Sequence, residues 1–102
     1  MKGFFMNKDN ILKILKSHLP FIRTRFYVKD IGIFGSFVRK EEHETSDIDI
    51  LVDIEDGHHD LFNYLRLRYY LEELFDTKVD LVIKESVKSK IRERIFREVV
   101  YA

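Results

Sequence analysis

The segment that decides the fold is residues 35–49, GSFVRKEEHETSDID. It begins with Gly35-Ser36 directly after a short apolar run, IGIF, and it ends with Asp47 and Asp49, which are one residue apart. Ten residues separate Ser36 from Asp47. The apolar run predicts a buried strand that ends at the glycine, and Ser36 is predicted to be the N-cap of a short helix followed by a polar loop.

The segment runs into residues 47–54, DIDILVDI, where apolar and polar residues alternate as they do in a half-buried β-strand. One face of this strand is predicted to carry four aliphatic side chains, those of Ile48, Ile50, Val52 and Ile54. The opposite face is predicted to carry Asp47, Asp49, Leu51 and Asp53.

The remaining elements are predicted from periodicity on either side of this strand. Apolar residues at helical spacing predict helices over 9–27 and 60–75, and Pro20 predicts a break in the first of them. A third strand is predicted over 78–83, and a last helix carries an apolar face towards the C-terminus. We therefore expect an α+β layer structure, a small sheet of three or four strands with helices mainly on one face.

Length and composition narrow the class of protein. The 102 residues fit one domain, 1–102, and 18 basic residues balance 18 acidic ones, so no strong nucleic-acid footprint is expected. Cysteine is absent, which excludes thiolate metal sites. No segment reaches the roughly 18 apolar residues of a membrane span, and the N-terminal residues lack the pattern of a signal peptide. We expect a cytoplasmic protein.

The aspartates predict a metal site. Asp47 and Asp49 share one strand face, where two like charges repel and raise each other's pKa, and a divalent cation reverses that repulsion. Asp80 interrupts the apolar strand 78–83 and joins them if the two strands are neighbours. Asp-x-Asp alone also fits a solvated strand edge, but three carboxylates together predict a site for two ions. Oxygen ligands favour magnesium, with manganese as the alternative, over zinc.

The Gly-Ser turn predicts a phosphate site beside the metal. Gly35 lets the backbone approach an anion without a Cβ in the way, and the amides that follow it favour negative charge. Ser36 adds a hydroxyl donor. Arg39, three residues further on, is placed to bring its guanidinium to the same phosphates.

Gly35-Ser36, ten residues and then Asp47-Ile48-Asp49 resemble the signature of the DNA polymerase β-like nucleotidyltransferase superfamily, and the short chain is similar to its minimal nucleotidyltransferase (MNT) branch. The resemblance covers most of the chain from about residue 19. It implies that Asp47, Asp49 and Asp80 bind metal and act in catalysis, and that the Gly-Ser turn binds the triphosphate of ATP.

The same resemblance implies a partner. Members of the MNT branch act as antitoxins of HEPN ribonuclease toxins and transfer AMP to a tyrosine of the toxin. The alternatives are an antitoxin that neutralises its partner by binding alone, and a subunit that modifies a small molecule.

Five further positions are given other interpretations. We interpret His58-His59 as surface capping residues rather than metal ligands, and Asp53 as solvated. His43 lies in the loop beside the predicted site and is a candidate for nucleotide contact. Helical spacing predicts that Tyr69 is in the core while its neighbouring arginines are exposed.

Overall fold

The computed structural model describes residues 6–41 and 47–102. Within them the strands are β1 (Val28–Phe34), β2 (Ile48–Ile54), β3 (Val79–Ile83) and β4 (Val100–Tyr101), and the α-helices are α1 (Lys8–Phe26), α2 (Ser36–Arg39), α3 (Leu61–Phe75) and α4 (Ser89–Glu98). The strand order is β3-β2-β1-β4. β2 and β3 are parallel, whereas β1 is antiparallel to both β2 and β4. This mixed sheet confirms the predicted α+β fold.

Each face of the sheet has its own apolar cluster. The larger one holds the four aliphatic side chains predicted for one face of β2, packed with buried residues of α1 and α3. The smaller one lies on the opposite face, where Leu51 packs against Phe34, Val87 and Ile95 of α4. The predicted alternation along β2 is therefore confirmed, and the aspartates lie on the face of the smaller cluster.

Helix α1 continues through Pro20, so the predicted break is wrong. Pro20 is exposed, while Leu15 and Ile22 on either side of it are fully buried. An interior proline costs about 3 kcal/mol, and each buried aliphatic side chain contributes about 1.5–3 kcal/mol, so packing on both sides of the proline outweighs its cost. No helix in the described ranges is both long enough and apolar enough to cross a membrane.

The buried stripe of α3 begins with a polar residue. Its members are Asn63, Leu67, Leu71 and Phe75, whereas Tyr69 is 58% exposed, which makes its predicted place in the core wrong. An asparagine occupies the first core position because its side chain is satisfied there. Nδ2 of Asn63 donates to the carbonyl of Phe26 at 2.8 Å and to that of His58 at 3.1 Å.

The chain ends in a strand. Helix α4 stops at Glu98, and Val100 and Tyr101 pair with Ile33 and Gly32 of β1. The apolar C-terminal residues, predicted to continue the helical face, instead add an edge strand to the sheet.

Replacing Asn63 by alanine should lower the free energy of unfolding by about 1–3 kcal/mol, because two carbonyl groups lose their donor and one of these bonds is buried. Chemical denaturation measures the change. Glu73→Ala, at an exposed position of the same helix, is the matched control and should change stability by less than about 0.5 kcal/mol. Equal stability of the two variants would contradict the proposed role of the amide.

Candidate active site

Asp49 and Asp80 lie side by side at the start of two parallel strands. They are directly paired in the register of β2 and β3, so their side chains share a face on strands about 4.8 Å apart. The expectation that these strands are neighbours is confirmed. Asp47 lies just before β2 and is exposed. The three predicted carboxylates therefore lie at the end of the sheet where β2 and β3 begin. Their catalytic and metal-binding roles stay predictions.

The carboxyl group of Asp49 has a pKa of about 6, raised from 3.8. Partial burial is the largest cause, followed by the charge of Asp80, a hydrogen bond with Asp80 that favours the neutral form, and the charge of Asp47, while the charge of Arg39 opposes the shift. A group of carboxylates that repel one another in this way suits a divalent cation, which stabilises their ionised forms. Their hard oxygen donors fit magnesium or manganese.

Gly35 packs directly against Asp49. Its backbone has φ 79° and ψ −150°, a conformation open almost only to glycine, and a Cβ at this position would overlap Oδ2 of Asp49. Glycine is therefore needed here for contact with the carboxylate, a reason that the sequence did not reveal. It is also the N-cap residue of α2, and Ser36 is the first helical residue rather than the predicted N-cap.

Arg39 reaches from α2 towards two glutamates. Its Nε donates to Oε1 of Glu41 at 2.8 Å, and its Nη1 donates to Oε1 and Oε2 of Glu98 at 2.9 and 3.1 Å. Its side chain remains 40% exposed. The guanidinium predicted to contact phosphate is thus held beside the Gly-Ser turn by ion pairs.

Glu98 is a site residue that the sequence reasoning missed. Besides Arg39, it accepts the backbone N–H of Gly35 through Oε2 at 3.0 Å. It lies three residues after buried Ile95, and this helical spacing puts the two side chains on one face. That spacing was a usable signal, since it brings the last residue of α4 to the sheet face that carries the aspartates.

The histidine pair lies at the other end of β2 and β3. Asp60 caps α3, so the predicted capping role of the histidines is wrong. The ring of His58 stacks on Tyr27, with centroids 3.5 Å apart, and Nε2 of His59 lies 3.6 Å from Glu85. Together with Asp56, these last two residues form a group whose ligand atoms are within 4.8 Å of one another.

The sequence also predicts roles for Asp53 and His43. Asp53 is half-buried and pairs in register with Asp30, so it is less solvated than predicted. His43 lies outside the described residues.

Gly35→Ala should disturb the site as well as the fold. Gly57 is the matched control, because it too has a positive φ (88°) but a Cβ there would meet nothing within 4 Å. Both variants should lose about 1–3 kcal/mol of unfolding free energy through backbone strain. Calorimetric titration should show that only Gly35→Ala also loses most of its Mg²⁺ affinity. Unchanged Mg²⁺ affinity in Gly35→Ala would show that the conformation of this turn does not affect metal binding by the carboxylates.

Mg²⁺ affinity should rise with pH. The cation binds ionised Asp49, whose pKa is about 6, so affinity at pH 7 should exceed that at pH 5 about tenfold. In the metal-free chain, the contribution of Asp49 to folding stability changes with pH in the opposite direction. The folded-state pKa lies above the unfolded value, so the contribution of Asp49 to stability falls as the pH rises from 3.8 to about 6. Calorimetry across this range tests both trends, and Asp49→Asn should remove them. A flat affinity profile in the wild type would contradict the assignment.

The chain is similar to known proteins in sequence and in structure. A family model described as the nucleotidyltransferase domain matches residues 9–102. The protein adenylyltransferase MntA of Thermococcus cleftensis is 48% identical over 93 residues, which are 91% of this chain and 93% of that protein.

Solved structures agree. A chain described as a minimal nucleotidyltransferase superposes with a TM-score of 0.80 at 31% identity, covering 96% of this chain and 98% of its own length. A chain from the complex of the tri-AMPylated Shewanella oneidensis HEPN toxin with its MNT antitoxin superposes with a TM-score of 0.58 at 25% identity, covering 93% of this chain and 67% of its own length. The chain belongs to the nucleotidyltransferase domain family.

Proposed function

We propose that this chain transfers AMP from ATP to a hydroxyl group, most simply that of a tyrosine, on a HEPN-type toxin and thereby acts as its antitoxin. The observation that carries the proposal is the pairing of Asp49 with Asp80 beside the Gly35 turn. Its support from outside the chain is the similarity to a protein adenylyltransferase and to a chain from an AMPylated HEPN–MNT complex.

Each predicted residue has a place in this reaction. Asp47, Asp49 and Asp80 are the proposed ligands of two magnesium ions, which when bound would neutralise charge on the phosphates and polarise the bond that breaks. The hydroxyl of Ser36 and the guanidinium of Arg39 are the proposed donors to the β- and γ-phosphates. Asp80 is the proposed acceptor of the proton from the attacking hydroxyl.

The acceptor oxygen forms a bond to the α-phosphorus of ATP, and the bond from that phosphorus to the bridging oxygen of the β-phosphate breaks. The acceptor proton passes to a carboxylate, and pyrophosphate leaves with the bonding electrons. AMP remains on the acceptor, and no oxidant or reductant is needed.

A partner protein is proposed to bring the acceptor. The described residues form one four-stranded sheet and the helices that pack on it, which supports an acceptor carried by another protein. We propose that residues 1–102 act as one minimal domain in the cytoplasm together with this partner.

Inhibition by binding alone is the second candidate function. It is favoured by the exposed apolar side chains of α1 and α3, which suit a docking surface, with Phe21 at 51% and Phe62 at 68% exposed. Binding alone assigns no role to the carboxylate pair, although partial burial and the charge of Asp80 raise the pKa of Asp49.

Asp80→Asn should abolish AMP transfer without weakening partner binding. The exposed position tolerates asparagine, while loss of a general base typically lowers a rate by about 10²–10⁴. Intact-mass spectrometry of the co-expressed partner should show added AMP with the wild type and none with the variant. The matched control, Asp53→Asn, changes a carboxylate further along β2 and should leave transfer intact.

The same experiment distinguishes the two functions. If the wild type adds no mass, and wild type and Asp80→Asn silence the partner equally at equal stoichiometry, binding alone explains inhibition and the catalytic proposal is wrong.

A further inference from the structure

We infer that Glu98 is a positioning residue of the nucleotide site, which holds Arg39 and the Gly-Ser turn in the geometry that receives the triphosphate. The inference rests on the proposed function and deepens it, since it assigns a role to a residue outside the Gly-Ser and Asp-x-Asp motifs.

One carboxylate joins two parts of the site. Oε2 of Glu98 accepts the N–H of Gly35 at 3.0 Å, and both of its oxygens accept Nη1 of Arg39, at 2.9 and 3.1 Å. Gly35 in turn packs against Asp49. A displacement of the Glu98 side chain would therefore reach both the predicted phosphate-binding arginine and the proposed metal-binding carboxylate.

The two glutamates that pair with Arg39 differ in their burial. The side chain of Glu98 is 14% exposed, compared with 62% for Glu41. Exposed ion pairs are weakened by solvent and by the freedom of long side chains, whereas charge-assisted bonds away from water are stronger. Both glutamates orient Arg39, and Glu98, the less exposed of the two, also bonds Gly35 and so connects the arginine to the turn.

Within residues 6–41 and 47–102, two of the three guanidinium nitrogens of Arg39 have partners. Nε and Nη1 are engaged by the two glutamates, while Nη2 makes no hydrogen bond to any residue in 6–41 or 47–102. A guanidinium presents its donors in a rigid fork, so fixing two nitrogens fixes the direction of the third. Since the N–H of Gly35 is already satisfied by Glu98, phosphate recognition falls to Ser36 and Arg39, and Gly35 shapes the turn.

The alternative role for Glu98 is competition with the nucleotide. Its carboxylate is an anion bound to two groups that were predicted to bind phosphate, so it could compete with the nucleotide and have to be displaced. Positioning predicts that removing Glu98 weakens ATP binding, whereas competition predicts that removal strengthens it.

The test measures Mg·ATP affinity of the whole chain by calorimetry. Glu98→Ala should lower affinity about tenfold, because charge-assisted bonds that orient the site are lost. Glu98→Gln should lower it less, since the amide oxygen can still accept the N–H of Gly35. The matched control is Glu93→Gln on the same helix, where the glutamate is 85% exposed and pairs with Arg97, and it should bind like the wild type.

A double-mutant cycle with Arg39→Ala separates positioning from a general effect on folding. If Glu98 acts through Arg39, Glu98→Ala should have little further effect on ATP affinity in the Arg39→Ala background. A purely structural role would lower affinity by the same factor in both backgrounds. The rate of AMP transfer is measured in parallel for every variant.

Tighter ATP binding by either Glu98 variant, wild-type affinity in both of them, or additive effects in the cycle would overturn the inference. A wild-type chain that binds ATP but transfers no AMP would sink only the proposed function, because the affinities still decide the role of Glu98. A wild-type chain that binds no ATP would overturn both.

Discussion

Asp49 and Asp80 are held next to each other by residues on the other side of the sheet. The register of β2 is fixed by four buried aliphatic side chains, which a shift of one residue would turn to the wrong face. Their burial contributes roughly 6–12 kcal/mol in total. The raised pKa of Asp49 corresponds to about 3 kcal/mol at most, and partial solvent exposure reduces it further. Burial of the core side chains therefore outweighs the cost of partly burying Asp49 and of placing it beside Asp80, and the carboxylate pair persists at this end of the sheet.

Gly35 and Glu98 are packed around the Asp49–Asp80 pair. Gly35 lacks a side chain because Asp49 occupies the space beside it, and its φ of 79° turns the chain from β1 into α2. Glu98 comes from the far end of the chain to bond both ends of that turn. Because β4 begins two residues later and pairs with β1, the closing strand fixes Glu98 against the site. Residues distant in sequence are thus connected to Asp49 through the Gly35 turn.

The sequence predicted those features that depend on local periodicity. Alternation along β2 assigned the residues of its two faces. Asp80 stands within an apolar strand, and this position predicted that it would lie beside Asp49 if the two strands were neighbours, as they are. It failed where tertiary contacts reverse a local preference. Pro20 remains helical because flanking residues are buried, and Asn63 replaces an apolar core residue because two carbonyls receive its hydrogen bonds. The spacing from Ile95 indicates which face of α4 carries Glu98, but the contacts of Glu98 with Gly35 and Arg39 depend on how α4 crosses the sheet, which periodicity within one helix does not define.

The exposure of the carboxylates bears on the acceptor in the proposed reaction. Asp49 is half-buried, whereas Asp47 and Asp80 are exposed, and β3 is an edge strand without a neighbour on its outer side among the described residues. A hydroxyl group of another protein can approach from that side without displacing any part of the described core. A phenol with a pKa near 10 loses its proton to a carboxylate far more readily than an aliphatic hydroxyl does. A protruding tyrosine therefore suits this edge better than a serine or threonine, because its hydroxyl stands at the end of a long, rigid side chain and its proton is easier to remove.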